Sequence, residues 1–153
     1  MEKKGLFVLF EGVDRSGKTT QAHILVDSRV LGPTEFIGFP DRSTPIGSLI
    51  DQYLRKQIEM DDHAIHLLYT ANRWEKSAFI NEKLESGVSI VCDRYKYSGA
   101  AYTAAKGLPL DWCLAPEEGL PEPDLVIFIE TNCEEQRSGY GDERYEVPTY
   151  QKR

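Results

Sequence analysis

The stretch from Leu6 to Val26 constrains the fold more than any other part of the sequence. An unbroken apolar run at residues 6–10 is followed by Glu11, by the motif G-x-x-x-x-G-K-T at residues 12–19, and then by helical spacing that reaches Val26. This order predicts a buried strand, a glycine-rich phosphate-binding loop and a helix, which together begin an α/β domain. An ordinary glycine turn is the alternative, and the flanking strand and helix argue against it.

Each residue type in the motif has a chemical reason. Gly12 and Gly17 allow the backbone to bend tightly enough for consecutive N–H groups to point at one phosphate group. The N-terminus of the following helix adds partial positive charge. Lys18 brings a mobile positive charge to the phosphates, and the hydroxyl of Thr19 is placed to bind magnesium. The motif therefore predicts a nucleotide phosphate site.

The overall composition is that of a single compact domain. With 153 residues, 41% of them hydrophobic and 28% charged, the chain is long enough to bury a core and has no composition typical of disorder. Its net charge of −7 argues against binding long nucleic acids, whereas a mononucleotide site needs positive charge only locally. No apolar stretch approaches membrane-spanning length, and the N-terminus carries no signal-peptide pattern.

The cysteines predict the compartment. Cys92, Cys113 and Cys133 are far apart in the sequence and form no C-x-x-C motif. This pattern favours free thiols in a reducing environment. We therefore expect a cytoplasmic or nuclear protein with no membrane partner.

Three further apolar segments predict strands, and polar residues follow two of them. The predicted strands are 36–39, 88–92 and 125–129, each interpreted as buried. Arg42 follows the first of these, and Asp93 and Arg94 follow the second. Ligands of open α/β sheets bind at the carboxyl ends of strands, so Asp93 is placed to reach magnesium and Arg94 to reach phosphate oxygens. Alternatively, Arg42 is a solvated loop residue, and Asp93 and Arg94 form an ion pair that closes the strand.

Two helices are predicted between the second and third strands. The first covers residues 44–54, where Thr44 is an N-cap and proline follows at the first helical position. A longer helix is predicted from Asp61 or Asp62 to Gly87. Its apolar stripe consists of Ala64, Ile65, Leu67, Leu68, Ala71, Trp74, Ala78 and Leu84.

Tyr69 and Arg73 lie off this stripe, one helical turn apart on the same face. An aromatic ring can stack on a flat base, and a planar guanidinium beside it can donate hydrogen bonds to a carbonyl group on the edge of the base. The pair therefore indicates a base-binding site. A cation–aromatic pair on the surface would have the same spacing, so that alternative stays open.

Two other pairs of polar side chains share a helix face. His63 and His66 are three residues apart and could bind a metal, but the sequence supplies no further ligand cluster, and exposed histidines are common. Ser98 and Tyr102 are four residues apart on a predicted helix that ends near Lys106. Because that helix is rich in small residues, its backbone can approach a ligand or a neighbouring element closely.

The segment 131–146 is polar and differs from the rest of the chain. Two glycines lie between Arg137 and Arg144. A flexible basic loop of this kind can close over phosphates and bring guanidinium groups to charge that develops in the transition state. A disordered linker has a similar composition, so both interpretations stay open. Pro148 is expected to begin another helix.

Six blocks of sequence occur in an order that is typical of one enzyme family. They are residues 10–21, which contain the phosphate loop, and residues 39–44, 66–75, 93–99, 119–124 and 141–146. In these blocks the chain resembles the thymidylate kinases of the eukaryotic and poxvirus type, and the resemblance runs from Gly5 to Arg153. It implies a P-loop nucleoside monophosphate kinase fold, with a parallel sheet flanked by helices on both faces. It also implies transfer of the γ-phosphoryl group of ATP to the 5′-phosphate of dTMP, with Mg²⁺, usually in a homodimer and without a nucleic acid polymer as partner.

The resemblance also implies roles for individual residues. The ATP-binding residues would be Gly12, Asp14, Arg15, Ser16, Gly17, Lys18, Thr19 and Thr20, with Arg137 on the adenine side. The dTMP-binding residues would be Asp14, Phe39, Arg42, Tyr69, Arg73, Arg94, Ser98, Gly99, Tyr102 and Tyr145. Ser98 and Tyr102 would line the base and sugar, and Asp14 would lie near the sugar 3′-hydroxyl and Arg94.

Within the dTMP set, the resemblance separates contacts to the base, the phosphate and the sugar. Tyr69 would stack on thymine, and Arg73 would donate to a carbonyl group of the base. Arg42 and Arg94 would bind the phosphate of dTMP, and Tyr145 would exclude a 2′-hydroxyl.

Four residues would carry the chemistry: Arg15, Lys18, Asp93 and Arg94. Thr19 and Asp93 would hold the magnesium ion. The nucleophile is a phosphate oxygen of dTMP, which is already anionic near neutral pH, so no general base is required. Fixed positive groups would instead hold two polyanions together in line.

Two departures from the family pattern matter. Tyr69 stands where phenylalanine is common, so its hydroxyl could shift the base preference. The sequence also stops before the usual end of the family, which predicts one kinase domain at residues 1–153, with a mobile lid around 131–146 and without the C-terminal portion.

Other functions also fit parts of the sequence. A kinase for another pyrimidine nucleotide or nucleoside, and a nucleotide-binding fragment without turnover, both stay open. A guanine-nucleotide switch is disfavoured, because no D-x-x-G or N-K-x-D motif follows the phosphate loop.

Overall fold

Four parallel strands form the central sheet of the computed structural model, which describes residues 3–131 and 143–145. They are β1 (Phe7–Glu11), β2 (Thr34–Gly38), β3 (Ser89–Asp93) and β4 (Leu125–Phe128). Their order in the sheet is β2-β3-β1-β4, and every pairing is parallel. The predicted α/β class with a parallel sheet is confirmed. β2 begins at Thr34 rather than Phe36, because Thr34 and Glu35 already pair with β3.

Six α-helices and one 3-10 helix lie in the described part of the chain. They are α1 (Lys18–Asp27), α2 (Pro45–Leu54), α3 (Asp62–Trp74), α4 (Ser77–Glu85), α5 (Lys96–Ala104), α6 (Leu110–Leu114) and the 3-10 helix Ala115–Glu117. Thr44 caps α2 as predicted, since its hydroxyl oxygen accepts a hydrogen bond from the N–H of Gly47 at 2.9 Å. None of these helices is long and apolar enough to cross a membrane.

Apolar side chains are buried on both faces of the sheet, because successive residues of a strand point to opposite faces. On one face, Leu9 and Ile90 belong to a cluster with Ile80 of α4. On the other face, Val8 belongs to a cluster with Ala22 of α1. Helices therefore cover both faces of β1 and β3, which explains why these strands are nearly continuous apolar runs.

The single long helix predicted after α2 is wrong, because the chain bends between α3 and α4. α3 ends at Trp74 and α4 begins at Ser77. Oε2 of Glu75, at the bend, accepts hydrogen bonds from Thr44 at 3.0 Å and from Asn72 at 3.1 Å. The bend allows α4 to pack on the sheet while α3 packs against α2 and α5.

The predicted apolar stripe is only partly buried in α3, where Ile65 is 1% exposed. Leu67 and Trp74 are 47% and 41% exposed. The buried side chains of α3 are Ile65, His66, Thr70, Asn72 and Arg73. The four polar side chains among them can be buried because they hydrogen-bond to neighbouring elements. The ring nitrogens of His66 lie 2.7 Å from Oγ1 of Thr103 and 2.8 Å from the carbonyl oxygen of Cys113, so His66 is a buried structural residue rather than an exposed one.

β4 differs from the buried strand that its sequence predicts. Leu125, Val126 and Phe128 are 53%, 43% and 66% exposed. β4 pairs with β1 along one edge, and no described strand pairs with its other edge. The edge position therefore exposes apolar side chains that a central strand would bury.

Replacing Ile90 by alanine tests the core. Ile90 is fully buried in β3, between β1 and β2. We expect Ile90→Ala to lower the free energy of unfolding by about 2–5 kcal/mol, because it removes buried methyl groups and leaves a cavity. Equilibrium unfolding in urea measures the change. Ile24→Ala is the matched control: Ile24 is 55% exposed on α1, and its loss should change stability by less than about 0.5 kcal/mol. Equal losses in the two variants would contradict the assigned core.

Candidate active site

The parallel pairing of β1 with β3 brings the predicted phosphate loop next to Asp93 and Arg94. Phe10 pairs in register with Asp93, and the N–H of Arg94 donates to the carbonyl oxygen of Phe10 at 2.9 Å. The loop after β1 therefore lies beside the residues after β3, and the hydroxyl of Thr19 donates to Oδ2 of Asp93. Both segments leave the sheet at its carboxyl edge, where ligands of α/β proteins bind.

A cavity of about 980 Å³ opens at this edge. The predicted site residues that line it are Asp14, Arg15, Ser16, Gly17, Lys18, Thr19, Thr20, Phe39, Arg42, Tyr69, Arg73, Asp93, Arg94, Ser98, Gly99, Tyr102 and Tyr145. Gly12 is not among the lining residues, and Arg137 lies outside the described residues. The fold thus brings the predicted residues to one cavity, while the role of each stays a prediction.

The two glycines of the phosphate-loop motif serve different purposes. Gly17 has a φ of +95°, a left-handed conformation that favours glycine. Gly12 has a φ of +147°, and a Cβ atom there would lie 2.4 Å from the carbonyl oxygen of Ile129. Gly12 therefore allows the loop to pack against the residue that follows β4.

Lys18 is the buried cation of the loop. It is 5% exposed, and its Nζ donates to the carbonyl oxygen of Val13 at 2.9 Å. Burial, reinforced by the positive charge of Arg94, lowers the pKa of Lys18 to about 8. A phosphate group in the loop would add negative charge beside the amine. Binding of a polyphosphate and protonation of Lys18 should therefore favour each other.

Thr19 and Asp93 fit a magnesium site that is shared with bound phosphates. Oδ1 of Asp93 and Oγ of Ser16 are buried without a hydrogen-bond partner among the described residues. A buried carboxylate oxygen in this state is costly unless a cation or water meets it, and oxygen atoms are the ligands that Mg²⁺ prefers. Residues 3–131 and 143–145 contain no group of three or more His, Cys, Asp or Glu side chains that could enclose a metal. The donors therefore fit an ion that takes its other ligands from phosphates and water.

Arg94 reaches the cavity from the turn after β3 and is held there by Asp14. Its Nη2 forms an ion pair with Oδ1 of Asp14, and its Nη1 donates to Oγ of Ser98 at 3.3 Å. The hydroxyl of Tyr102 donates to the other oxygen of Asp14 at 3.2 Å. The alternative in which Arg94 pairs with the adjacent Asp93 is therefore wrong. This network fixes the direction of the guanidinium group beside the phosphate loop.

Arg42 belongs to an ion-pair network and lines the cavity, so it is more than a solvated loop residue. Its Nη1 lies 2.7 Å from Oδ1 of Asp51 and 2.6 Å from Oε1 of Glu143, and its Nη2 lies 3.0 Å from Oε2 of Glu143. The hydrogen bonds, above all those to Glu143, raise the pKa of Arg42 far above its ordinary value. Sequence reasoning missed Glu143 as a cavity residue, because its partner lies 101 positions away.

Tyr69 and Arg73 both line the cavity, and the alternative of a surface pair is wrong. Arg73 is 3% exposed and forms an ion pair with Glu117, which is 1% exposed. Burial raises the pKa of Tyr69 well above its ordinary value, so its hydroxyl stays neutral at physiological pH. Sequence reasoning missed Glu117, because an acidic residue in a predicted loop gives no sign of being buried.

Arg144 does not reach the cavity, contrary to the expectation for the basic loop. Its guanidinium carbon lies 4.0 Å from the ring centre of Tyr53, and its Nη2 lies 2.8 Å from Oε1 of Glu59. Its backbone N–H donates to the carbonyl oxygen of Leu54 at 3.0 Å. These contacts anchor residues 143–145 to the end of α2 and so hold the ring of Tyr145, whose hydroxyl donates to that of Tyr53 at 3.2 Å, at the cavity.

Glu11 is a third residue that sequence reasoning missed. It is 5% exposed, and its Oε1 accepts hydrogen bonds from the N–H groups of Tyr95 at 2.9 Å and Ser98 at 3.3 Å. The carboxylate of β1 thus caps α5, which has no cap from its own N-cap residue. Burial raises the pKa of Glu11, although these hydrogen bonds and Arg94 oppose the change. The sequence signal that could have identified Glu11 is its position as a charged residue directly after an apolar run.

The chain is similar to proteins of one family. A family profile described as thymidylate kinase matches residues 10–153. The chain is 52% identical over 158 residues to a thymidylate kinase of Dictyostelium discoideum, an alignment that covers 100% of this chain and 71% of that protein. It is 46% identical over 156 residues to a thymidylate kinase of Homo sapiens, covering 99% of this chain and 74% of that protein. The solved structure of thymidylate kinase from Candida albicans superposes with a TM-score of 0.91 at 48% identity, covering 97% of this chain and 74% of that one.

The pKa of Lys18 leads to a prediction about ATP binding. Because the pKa is about 8 before a nucleotide binds, the amine is mostly protonated at pH 7.5 and mostly neutral at pH 9. Each pH unit above the pKa lowers the protonated fraction tenfold, so we expect the Kd for ATP to rise about tenfold between pH 7.5 and 9. Calorimetric titrations at several pH values measure this. Lys18→Arg, which stays charged throughout this range, should bind with little pH dependence. A flat profile for the unmodified protein would contradict the assignment.

Proposed function

The chain belongs to the thymidylate kinase family, and we propose that it transfers the γ-phosphoryl group of ATP to the 5′-phosphate of dTMP in the cavity at the carboxyl edge of the sheet. One observation carries the proposal: a phosphate loop, two arginines suited to a second phosphate, and a ring with a buried guanidinium suited to a base all line the same cavity. Two nucleotides can therefore approach each other with their phosphates in the middle.

Different residues along the cavity would bind different parts of the two nucleotides. Residues 12–20 would hold the phosphates of ATP, since they form the loop before α1 and the first turn of that helix. Arg42 and Arg94 would bind the 5′-phosphate of dTMP. Tyr69 would stack on the base, and Arg73 would donate to one of its carbonyl groups.

The remaining lining residues would shape the sugar and base end of the dTMP site. They are Phe39, Ser98, Gly99 and Tyr102, with Asp14 near the 3′-hydroxyl. Tyr145 would fill the space that a 2′-hydroxyl requires. Its ring centre lies 5.2 Å from that of Tyr102 and 6.1 Å from that of Tyr53, so neighbouring rings support its position.

The chemistry of such a site is mainly electrostatic. The attacking phosphate oxygen of dTMP is anionic near neutral pH, because the second pKa of a phosphate monoester is about 6, so no general base is needed. Lys18, Arg15 and Arg94 would hold the two polyanions close together and stabilise the charge on the transferring group. Thr19 and Asp93 would hold Mg²⁺, which when bound neutralises charge on the phosphate oxygens of ATP.

The proposal has three further parts: a lid, a homodimer and a cellular location. We propose a lid at residues 131–146; residues 132–142 and 146 lie outside the described residues. A homodimer is supported by the exposed apolar side chains of Leu49 on α2 and Leu67 on α3, two helices that pack against each other. A cytoplasmic or nuclear location is supported by Cys92 and Cys113, which are free thiols.

A panel of phosphate acceptors tests the function. ADP formation is measured by a coupled assay with ATP, Mg²⁺ and, in turn, dTMP, dUMP, dCMP and thymidine. We expect the highest kcat/KM with dTMP and negligible turnover of thymidine, which has no phosphate to bind Arg42 and Arg94. Lys18→Ala is the control for background turnover. A chain that phosphorylates thymidine or dCMP as well as dTMP would overturn the proposal, and binding of dTMP without any turnover would show a nucleotide-binding fragment.

Replacing Arg15 tests the proposed catalytic role. Arg15→Ala should lower kcat by about 10³-fold or more, as is typical of an arginine that stabilises transition-state charge, while the Kd for dTMP changes little. Arg42→Ala is the comparison variant: it should mainly weaken dTMP binding, because Arg42 would contact the phosphate in the ground state as well. A larger loss of affinity than of rate in Arg15→Ala would refute its role.

A further inference from the structure

The guanidinium group of Arg73 is held in one orientation by Glu117. Nε of Arg73 lies 3.0 Å and 2.9 Å from the two carboxylate oxygens, and Nη2 donates to Oε1 of Glu117 as well. Both side chains are almost fully buried. A carboxylate that accepts hydrogen bonds from two adjacent nitrogens of a guanidinium fixes the plane of the group as well as its position.

Glu117 is itself fixed from several directions. The hydroxyl of Thr70 donates to its Oε1 at 2.9 Å. The 3-10 helix that carries it is tied to α3 by the indole N–H of Trp74, which donates to the carbonyl oxygen of Pro116 at 2.9 Å. The carboxylate is thus a rigid support for the arginine, although 44 positions separate the two in the sequence.

The other side of the guanidinium is closed by Gly99 of α5. A Cβ atom at Gly99 would lie 2.6 Å from Nη2, 3.0 Å from Nη1 and 3.1 Å from Cζ of Arg73. A side chain at position 99 would therefore displace the guanidinium from this position. Glu117 and Gly99 therefore confine Arg73, which still lines the cavity.

This arrangement leaves Nη1 of the guanidinium for a ligand. Nε and one N–H of Nη2 donate to Glu117, whereas Nη1 makes no hydrogen bond to the part of the chain that the structure describes. Nη1 can only donate, so it favours an acceptor on the base and disfavours a second donor. Thymine has a carbonyl oxygen at carbon 4 where cytosine has an amino group, and both have a carbonyl oxygen at carbon 2. A donor such as Nη1 therefore favours thymine if it meets carbon 4, whereas at carbon 2 it would not separate the two bases.

We propose that Glu117 is a positioning residue for base selection: it aims Nη1 of Arg73 at the carbonyl oxygen on carbon 4 of the pyrimidine. Glu117 does not touch the nucleotide and acts only through Arg73. The inference rests on the proposed function, because it takes dTMP as the occupant of the cavity.

The test compares Glu117→Gln with the unmodified protein. A glutamine has nearly the same shape, but one of its two oxygens is replaced by an amino group that cannot accept from the arginine. Calorimetric Kd values are measured for dTMP and for 5-methyl-dCMP, which differ at carbon 4 and in protonation of the adjacent ring nitrogen. The unmodified protein should prefer dTMP by about 100-fold or more, because a site built to donate rejects a ligand that lacks the acceptor. In Glu117→Gln we expect this ratio to fall at least about tenfold, through weaker binding of dTMP.

Further variants separate positioning from general damage to the fold. Ile90→Val trims the buried core of β3 and leaves every hydrogen bond of Glu117 and Arg73 in place, so it should keep the ratio. Glu117→Asp keeps the carboxylate, so it should retain more of the preference for dTMP over 5-methyl-dCMP than Glu117→Gln does. In an Arg73→Met background, Glu117→Gln should cause no further change in the ratio, because Glu117 acts only through Arg73.

The outcomes are distinct. An unchanged ratio in folded Glu117→Gln, or equal weakening of both nucleotides, would overturn the inference. If Glu117→Gln does not fold, Thr70→Val is measured instead, because it is nearly isosteric and removes one hydrogen bond to Glu117. An unchanged ratio in Thr70→Val would overturn the inference. Unmodified protein that binds both nucleotides equally also overturns it. Unmodified protein that discriminates in binding but does not phosphorylate dTMP overturns the proposed function alone.

Discussion

The pairing of β1 with β3 is the interaction on which the rest of the site depends. Phe10 and Asp93 lie opposite each other in the register, so the phosphate loop and the Asp93-Arg94 turn begin at the same level of the sheet. Glu11, the last residue of β1, then caps α5 and orients the helix that carries Ser98. A shift of one residue in this register would send every side chain of β1 to the opposite face and separate Thr19 from Asp93.

A second principle is that three arginines of the cavity to which we assign contacts with dTMP are held by carboxylates. Arg42 pairs with Asp51 and Glu143, Arg73 with Glu117, and Arg94 with Asp14. These pairs explain how a chain of net charge −7 can bind polyanions. Positive charge is concentrated and oriented at one edge of the sheet, and the acidic partners lower the cost of placing cations close together.

The ion pairs of Arg73 and Arg42 differ in burial, and this difference separates their proposed roles. The Arg73 pair is almost fully buried, so Glu117 is well placed to act as a permanent support. Arg42 is 35% exposed and its carboxylates are 26% and 29% exposed, so solvent screens this pair and an incoming phosphate can compete for the arginine. A rigid contact therefore suits the base, and an exchangeable contact suits the phosphate.

The sequence predicted those parts of the site that have a local signature. The phosphate loop, Arg42 and the Asp93-Arg94 pair directly follow or nearly follow apolar strands, so their place at the carboxyl edge could be inferred from the order of segments. The bend between α3 and α4 could not be, because helical spacing continues through Glu75 and the bend depends on packing against other elements. Glu117 and Glu143 were missed because their partners are 44 and 101 positions away. The exposure of β4 depends on which strands lie beside it in the sheet. The hydrophobic periodicity of the sequence does not contain that information.

A crystal structure of the protein with dTMP, ADP and Mg²⁺ tests most directly whether two nucleotides meet at this edge. We expect the phosphates of ADP on residues 12–19 and the phosphate of dTMP within hydrogen-bonding distance of both Arg42 and Arg94. The thymine ring should lie beside Tyr69, with its carbonyl oxygen on carbon 4 at Nη1 of Arg73. Binding of dTMP outside this cavity, or with its phosphate remote from Arg42 and Arg94, would contradict these expectations.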